Sequence, residues 1–187
     1  TQEIDPQDLG FIRVLVANPE TPTVIKNLGI VDSYLELKSR TGVRAAVFAV
    51  DVIDSDSEDG KISYAKILNC YNQSKIYFNS TGNVAYFVEE IGEHVVLTIG
   101  NSYSVETGFL YGTNSGTLEV ENSYILDSRE KLDSYGIMHV TSDQFKKGVV
   151  ACALHEADPV WGQDVQKDKY PNFSGQLKNA SVDRYKV

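Results

Sequence analysis

A short phrase returns along this chain: an apolar residue, a spacer, Asn, a small residue, Tyr. It reads Ile67-Leu68-Asn69-Cys70-Tyr71, then Ile99-Gly100-Asn101-Ser102-Tyr103, then Val120-Glu121-Asn122-Ser123-Tyr124, with a looser copy at Val24-Ile25-Lys26-Asn27. Each full copy follows a Thr-Gly, at Thr41-Gly42, Thr81-Gly82 and Thr107-Gly108. A short recurring unit rich in β-formers and Gly reads as stacked coils that bury a shared core. The phrase therefore predicts an all-β chain folded as a right-handed parallel β-helix (β-solenoid), its hand following from the crossover rule for parallel strands. The distance from Thr-Gly to Asn shortens along the chain, as expected when the stacking strands are constant and insertions leave as loops.

The repeated residues suit internal ladders. Asn27, Asn69, Asn101 and Asn122 are expected at bends, each amide donating to one neighbouring coil and accepting from the other. Tyr71, Tyr103 and Tyr124 are expected to stack as offset rings. The alternative reading is that some of these rings form an exposed strip for ligand contact.

Strand-like stretches separated by turn residues run from Val24–Ile30 through Val43–Val52 and Val84–Val88 to Tyr124–Asp127. The composition then changes. Thr141 reads as a helix N-cap, Gln144 closes a capping box, and Val140 with Phe145 makes a hydrophobic staple. This predicts coils over residues 1–135 and a C-terminal cap over 136–187, containing one short α-helix at about 142–155 and extended segments around Trp161 and Pro171. Phe145, Val149, Cys152 and Ala153 fall on one face of that helix. Gly148 lies in its interior, which predicts close packing over it. The cap is expected to cover the strand edges of the last coil.

Composition excludes more than it identifies. The net charge of −9 over 187 residues argues against nucleic acid and anionic lipid, since phosphate binding needs clustered Lys and Arg. No apolar run is long enough for membrane insertion, and Thr1–Pro6 shows no basic region leading into an apolar stretch. Cys70 and Cys152 read either as two small buried thiols or as a disulfide.

The sequence declares no catalytic residue and no cofactor. The segment Asp54-Ser55-Asp56-Ser57-Glu58-Asp59-Gly60 makes Asp54, Asp56 and Asp59 a calcium candidate, although its Gly falls one place late for an EF-hand loop. The other reading is a solvated acidic loop. Glu89-Glu90 and Asp127 with Glu130 are glycan-cleaving candidates by residue type, but Glu89 and Glu90 are adjacent on a strand and face opposite ways, so those two are not expected to share a site. His155 is expected to complement the C-terminal end of the helix dipole.

The stretch from Thr107-Gly108-Phe109-Leu110-Tyr111-Gly112 to Asn122-Ser123-Tyr124 resembles a GLUG-type repeat, and Val24 to Tyr34 resembles the opening phrase of such arrays. Thr141 through Phe145 and Gly148 to Trp161-Gly162-Gln163 and Tyr170-Pro171 resembles their closing segment. The copies at Val43-Arg44-Ala45-Ala46 and Asn83-Val84-Ala85-Tyr86 lack the second Gly of the pattern. The resemblance implies a parallel β-helix from a secreted or surface-displayed bacterial protein, located extracellularly or at the cell surface. It also implies a non-catalytic adhesive surface or rigid spacer, with glycan or host extracellular-matrix partners and neighbouring domains of a longer chain. The alternative is a carbohydrate-binding or carbohydrate-cleaving β-helix, its 11 Tyr and single Trp offering stacking surfaces. Gly10 to Val14 resembles the end of an earlier coil, which predicts a longer array and a risk of dimerisation through the N-terminal edge.

Overall fold

A computed structural model of the chain describes residues 8–38, 44–55, 60–79, 83–106, 111–128 and 130–180. The chain passes repeatedly through the same three directions. The first pass comprises β1 (Asp8–Leu9), β2 (Ile12–Ala17) and β3 (Thr23–Lys38). The second comprises β4 (Arg44–Ala46), β5 (Ala49–Asp54) and β6 (Ser63–Asn79). The third comprises β7 (Asn83–Ala85), β8 (Val88–Ile91), β9 (Val95–Gly100) and β10 (Tyr103–Ser104). The fourth comprises β11 (Tyr111–Asn114), β12 (Thr117–Glu121) and β13 (Tyr124–Leu126). A short β14 (Lys131–Leu132) and β15 (Met138–Val140) follow.

Each strand pairs in parallel with its counterpart one pass on. This produces a sheet of β1, β4 and β7, a sheet of β2, β5, β8 and β11, and a large sheet built on β3, β6, β9, β10, β12, β13 and β15. The fold is all-β with parallel sheets. Because the register is kept, one face of every strand feeds a common interior. Ile25, Ile67, Ile99 and Val120 occupy one such row. Phe48 and Phe87 pack at a corner as tilted rings with centroids 4.7 Å apart. Leu15, Val52, Val88, Ile91 and Leu97 complete the buried core. The stretches expected as single strands at Val43–Val52 and Val84–Val88 are each split, because Val47-Phe48 and Tyr86-Phe87 turn the corner between two sheets.

The C-terminal segment departs from expectation in two ways. One helix was expected, and two are present: α1 (Ser142–Lys146) and α2 (Val149–Ala157). The capping box of Thr141 and Gln144 forms, with Phe145 buried behind it. Gly148, however, adopts φ +78° and breaks the helix rather than lying inside it. Close packing over Gly148 is real: a Cβ there would meet Val165 at 2.9 Å and Ala180 at 3.0 Å. The break shifts the helix phase, so Val150, Ala151 and Leu154 are buried while Val149, Cys152 and Ala153 are only partly covered.

The second departure is position. The segment, with β16 (Gln163–Asp164) and β17 (Leu177–Lys178), does not sit on the last pass as an end cap. It lies along the side of the large sheet, making a second apolar cluster with Tyr71, Tyr103 and Tyr124 of three successive passes. The last pass is instead closed by β14, which pairs antiparallel with β15. An antiparallel hairpin ends a parallel stack because it presents the wrong strand direction to a further pass.

Candidate functional site

The recurrent Asn residues are in register. The pairing of β3 with β6, β6 with β9 and β10, and β12 and β13 with β9 and β10 aligns Asn27, Asn69, Asn101 and Asn122. All four adopt positive φ, at 57°, 50°, 49° and 42°. Asn is the residue besides Gly that enters this region most readily, since its short amide bonds locally. Gly136, with φ 85°, takes the same place in the last pass, two residues before Met138 as Asn122 is before Tyr124. No Tyr follows it, so the repeated phrase does not include it.

The amides form pairs: Asn69 Nδ2 donates to Asn27 Oδ1 at 3.0 Å, and Asn122 Nδ2 donates to Asn101 Oδ1 at 2.8 Å. The second donor direction leaves the sheet and binds the C-terminal segment, at Asp158 Oδ2 (2.7 Å) and at the Ala153 carbonyl (3.3 Å). Asn69 and Lys26 both approach Asp158. The Asn69 hydrogen bond is the main reason its carboxyl is held below the usual range.

The small residue after each Asn also has a physical role. Cys70 N donates to Ser102 Oγ at 3.0 Å, and Ser102 N donates to Ser123 Oγ at 3.3 Å. Those hydroxyls in turn donate to the carbonyls of Gly100 and Glu121. Each pass thus satisfies the buried backbone of the previous bend. Cys70 takes the same place with its thiol near the Leu68 carbonyl, and burial pushes that thiol up to about 11. Both cysteines are free.

The tyrosines stack and are covered. Tyr71 and Tyr103 lie with centroids 5.3 Å apart and planes 4° from parallel, and Tyr124 is in register with Tyr103. Trp161, Phe145 and Phe173 of the C-terminal segment close over them, with Trp161 and Phe173 4.7 Å apart. The Tyr103 hydroxyl donates to the Pro171 carbonyl and accepts from Gln73 Nε2 at 2.6 Å. Burial raises the Tyr103 phenol well above its ordinary range, and raises Tyr124 to about 12. The tyrosine row is thus a packed seam and not an exposed strip.

Titratable groups gather in two other places. Asp51 of β5 and Glu90 of β8 are adjacent in register. Arg44 of β4 crosses from the neighbouring sheet to reach both, with Nη1 2.6 Å from Asp51 and 2.8 Å from Glu90. The fully buried Glu89 lies 3.6 Å from the same nitrogen. Glu89 and Glu90 do come together, contrary to the alternation argument, because Arg44 sits at the corner between two sheets. Carboxylate oxygens of Asp51, Glu89 and Glu90 lie within 4.8 Å of one another. A divalent cation there would compete with the guanidinium for the same oxygens. Aligning the successive passes identifies Asp51 and Glu90 as one position; reading each phrase alone does not.

At the last pass, His139 Nδ1 lies 2.8 Å from Asp127 and its Nε2 lies 3.4 Å from Asp133. Lys131 Nζ lies 3.3 Å from Asp127. The His139 hydrogen bond, with Ser128 and Lys131, holds Asp127 far below the usual carboxylate range. This cluster ties the β14–β15 hairpin to the preceding pass. His155, expected at the helix dipole, has Nδ1 2.6 Å from the Trp161 carbonyl. Of the calcium candidates, Asp54 is half-buried at the end of β5, while Asp56 and Asp59 lie outside the described residues. Thr41-Gly42, Thr81-Gly82 and Thr107-Gly108 also lie outside them. Among the described residues no helix is long and apolar enough to cross a membrane.

No protein-family model, no curated protein and no solved structure matches this chain.

Proposed function

We propose that the chain is a right-handed parallel β-helix of GLUG type. Its role is that of a non-catalytic module in a secreted or surface-displayed bacterial protein. It acts as a rigid spacer whose outer faces bind glycan or extracellular-matrix components, joined to neighbouring domains of a longer chain. The observation that carries this reading is the alignment of Asn27, Asn69, Asn101 and Asn122 in left-handed bends, one per pass. A chain that turns at the same residue on every pass stacks its passes in register, and the continuous parallel hydrogen bonding and shared apolar interior between passes favour a rigid spacer. The hand follows from the crossover rule. Chemistry supports the non-catalytic half: Asp51 and Glu90 are engaged by Arg44, and Asp127 by His139, in arrangements that hold the fold together.

The test is a screen of the whole chain against a glycan array and a panel of matrix proteins, with product analysis on every glycan bound. Binding without cleavage is the expected result. Glycan cleavage by the wild-type chain that is lost in a folded Asp51→Asn variant would overturn the reading.

A further inference from the structure

The hairpin that closes the last pass buries little apolar surface. β14 is two residues long and both are exposed, Leu132 at 63%, and Tyr135 in the turn that follows is 46% exposed. A segment with few buried apolar contacts opens locally at low cost, so its polar ties decide whether it stays closed. Asp133 supplies several of them. Its Oδ1 accepts from the backbone amides of Tyr135 and Ile137, each at 2.9 Å, and its Oδ2 lies 3.4 Å from His139 Nε2.

His139 is the register partner of Ile125, which is 2% exposed. Parallel partners point to the same face, so the ring stands at the end of the apolar interior. Its side chain is 14% exposed, which leaves water little room to replace a lost hydrogen bond. The ionisable groups set against it are Asp127, just after β13, and Lys131 and Asp133 of the hairpin. Both ring nitrogens therefore meet carboxylate oxygens. Only the imidazolium carries a hydrogen on each nitrogen; the neutral ring has one. A neutral ring that keeps its Nδ1–H on Asp127, the closer partner at 2.8 Å, turns a lone pair from Nε2 toward Asp133. Lys131 stays beside Asp127 in either state.

We infer that His139 is a proton-dependent latch on the β14–β15 hairpin: the protonated ring holds Asp133 and keeps the hairpin closed, and the neutral ring releases it. The tie is complete while the ring is positive and is lost as pH rises and the ring gives up its proton. Because β14 is the strand that covers the outer side of β15, the latch sets whether that edge of the large sheet is covered.

The test follows the whole chain by NMR from about pH 5 to about pH 9, the range in which an imidazole changes charge. The His139 ring signals are read together with amide exchange corrected for its intrinsic pH dependence. Protection of the Asp133, Tyr135 and Ile137 amides should fall about tenfold over the same interval in which His139 loses its proton. The Met138 amide, bonded to the Ser123 carbonyl of the preceding pass, should keep its protection, since the latch frees the hairpin and not β15. Asp133→Asn keeps an Oδ1 for the turn amides and offers Nδ2 to the neutral ring, so its hairpin should stay protected at the alkaline end. His139→Gln should lose the pH step. A ring that titrates with no change at the hairpin amides overturns the inference, as does a ring that is neutral throughout. A step that persists in His139→Gln, one unchanged in Asp133→Asn, or loss of Met138 protection together with the hairpin overturns it equally.

Discussion

The ring of Tyr71 occupies the space where a side chain on Gly29 would begin. The two residues are partners in register between β3 and β6. Gly29 therefore stands in the first pass where Tyr71 and Tyr103 stand in the next two, and it ends the tyrosine row by letting the last ring lean into its place. Phe173 packs edge-on against that ring at 5.0 Å.

Gly29→Ala should destabilise the protein by about 1–3 kcal/mol through overpacking against the ring. The two sites share one volume, so Gly29→Ala with Tyr71→Ala should cost less than the sum of the single changes. Chemical denaturation of the four proteins measures this. Strict additivity would show that the ring does not fill the Gly29 site.

Asn69 is set by its backbone as much as by its amide. Asn69→Ala should lose roughly 1–2 kcal/mol for placing Ala in the left-handed region, and about 1 kcal/mol more for the bonds to Asn27 and Asp158. Asn69→Gly loses the bonds but keeps the conformation. Gly should therefore be the milder replacement in unfolding experiments, the reverse of the usual order in a strand.

Tyr103→Phe removes a hydroxyl that joins Gln73 to the Pro171 carbonyl. Leaving those buried groups unmatched should cost about 1–3 kcal/mol. The C-terminal segment should loosen first, seen as faster amide exchange in residues 161–173. In an alkaline ultraviolet titration, the phenol of Tyr103 should ionise only when the protein unfolds, because burial keeps it neutral.

The folded protein holds Asp127 below its unfolded value of about 3.9. The unfolded chain therefore takes up the proton first as pH falls. The stability Asp127 contributes is complete above its unfolded pKa and is lost as pH drops toward the folded one. Between about pH 5 and pH 3 the unfolding midpoint should fall more steeply in the wild type than in Asp127→Asn. Equal slopes would show that His139 does not engage this carboxylate in solution.

The sequence by itself determined the repeating unit, its β character, the alignment of Asn27, Asn69, Asn101 and Asn122, and the capping box at Thr141. Those are properties of local phrases, written in consecutive residues and repeated often enough to be recognised. Only the tertiary structure decided where the C-terminal segment lies, why Gly29 and Gly136 belong to the same rows as Tyr71 and Asn122, and that Arg44 gathers Asp51, Glu89 and Glu90. Each of these depends on residues far apart in the chain that meet through register and at sheet corners. A helix with an apolar face signals that it must be covered, and which surface covers it is settled by the shape and free hydrogen bonds of the partner. Here that partner is the seam of tyrosines and Asn amides along the side of the stack.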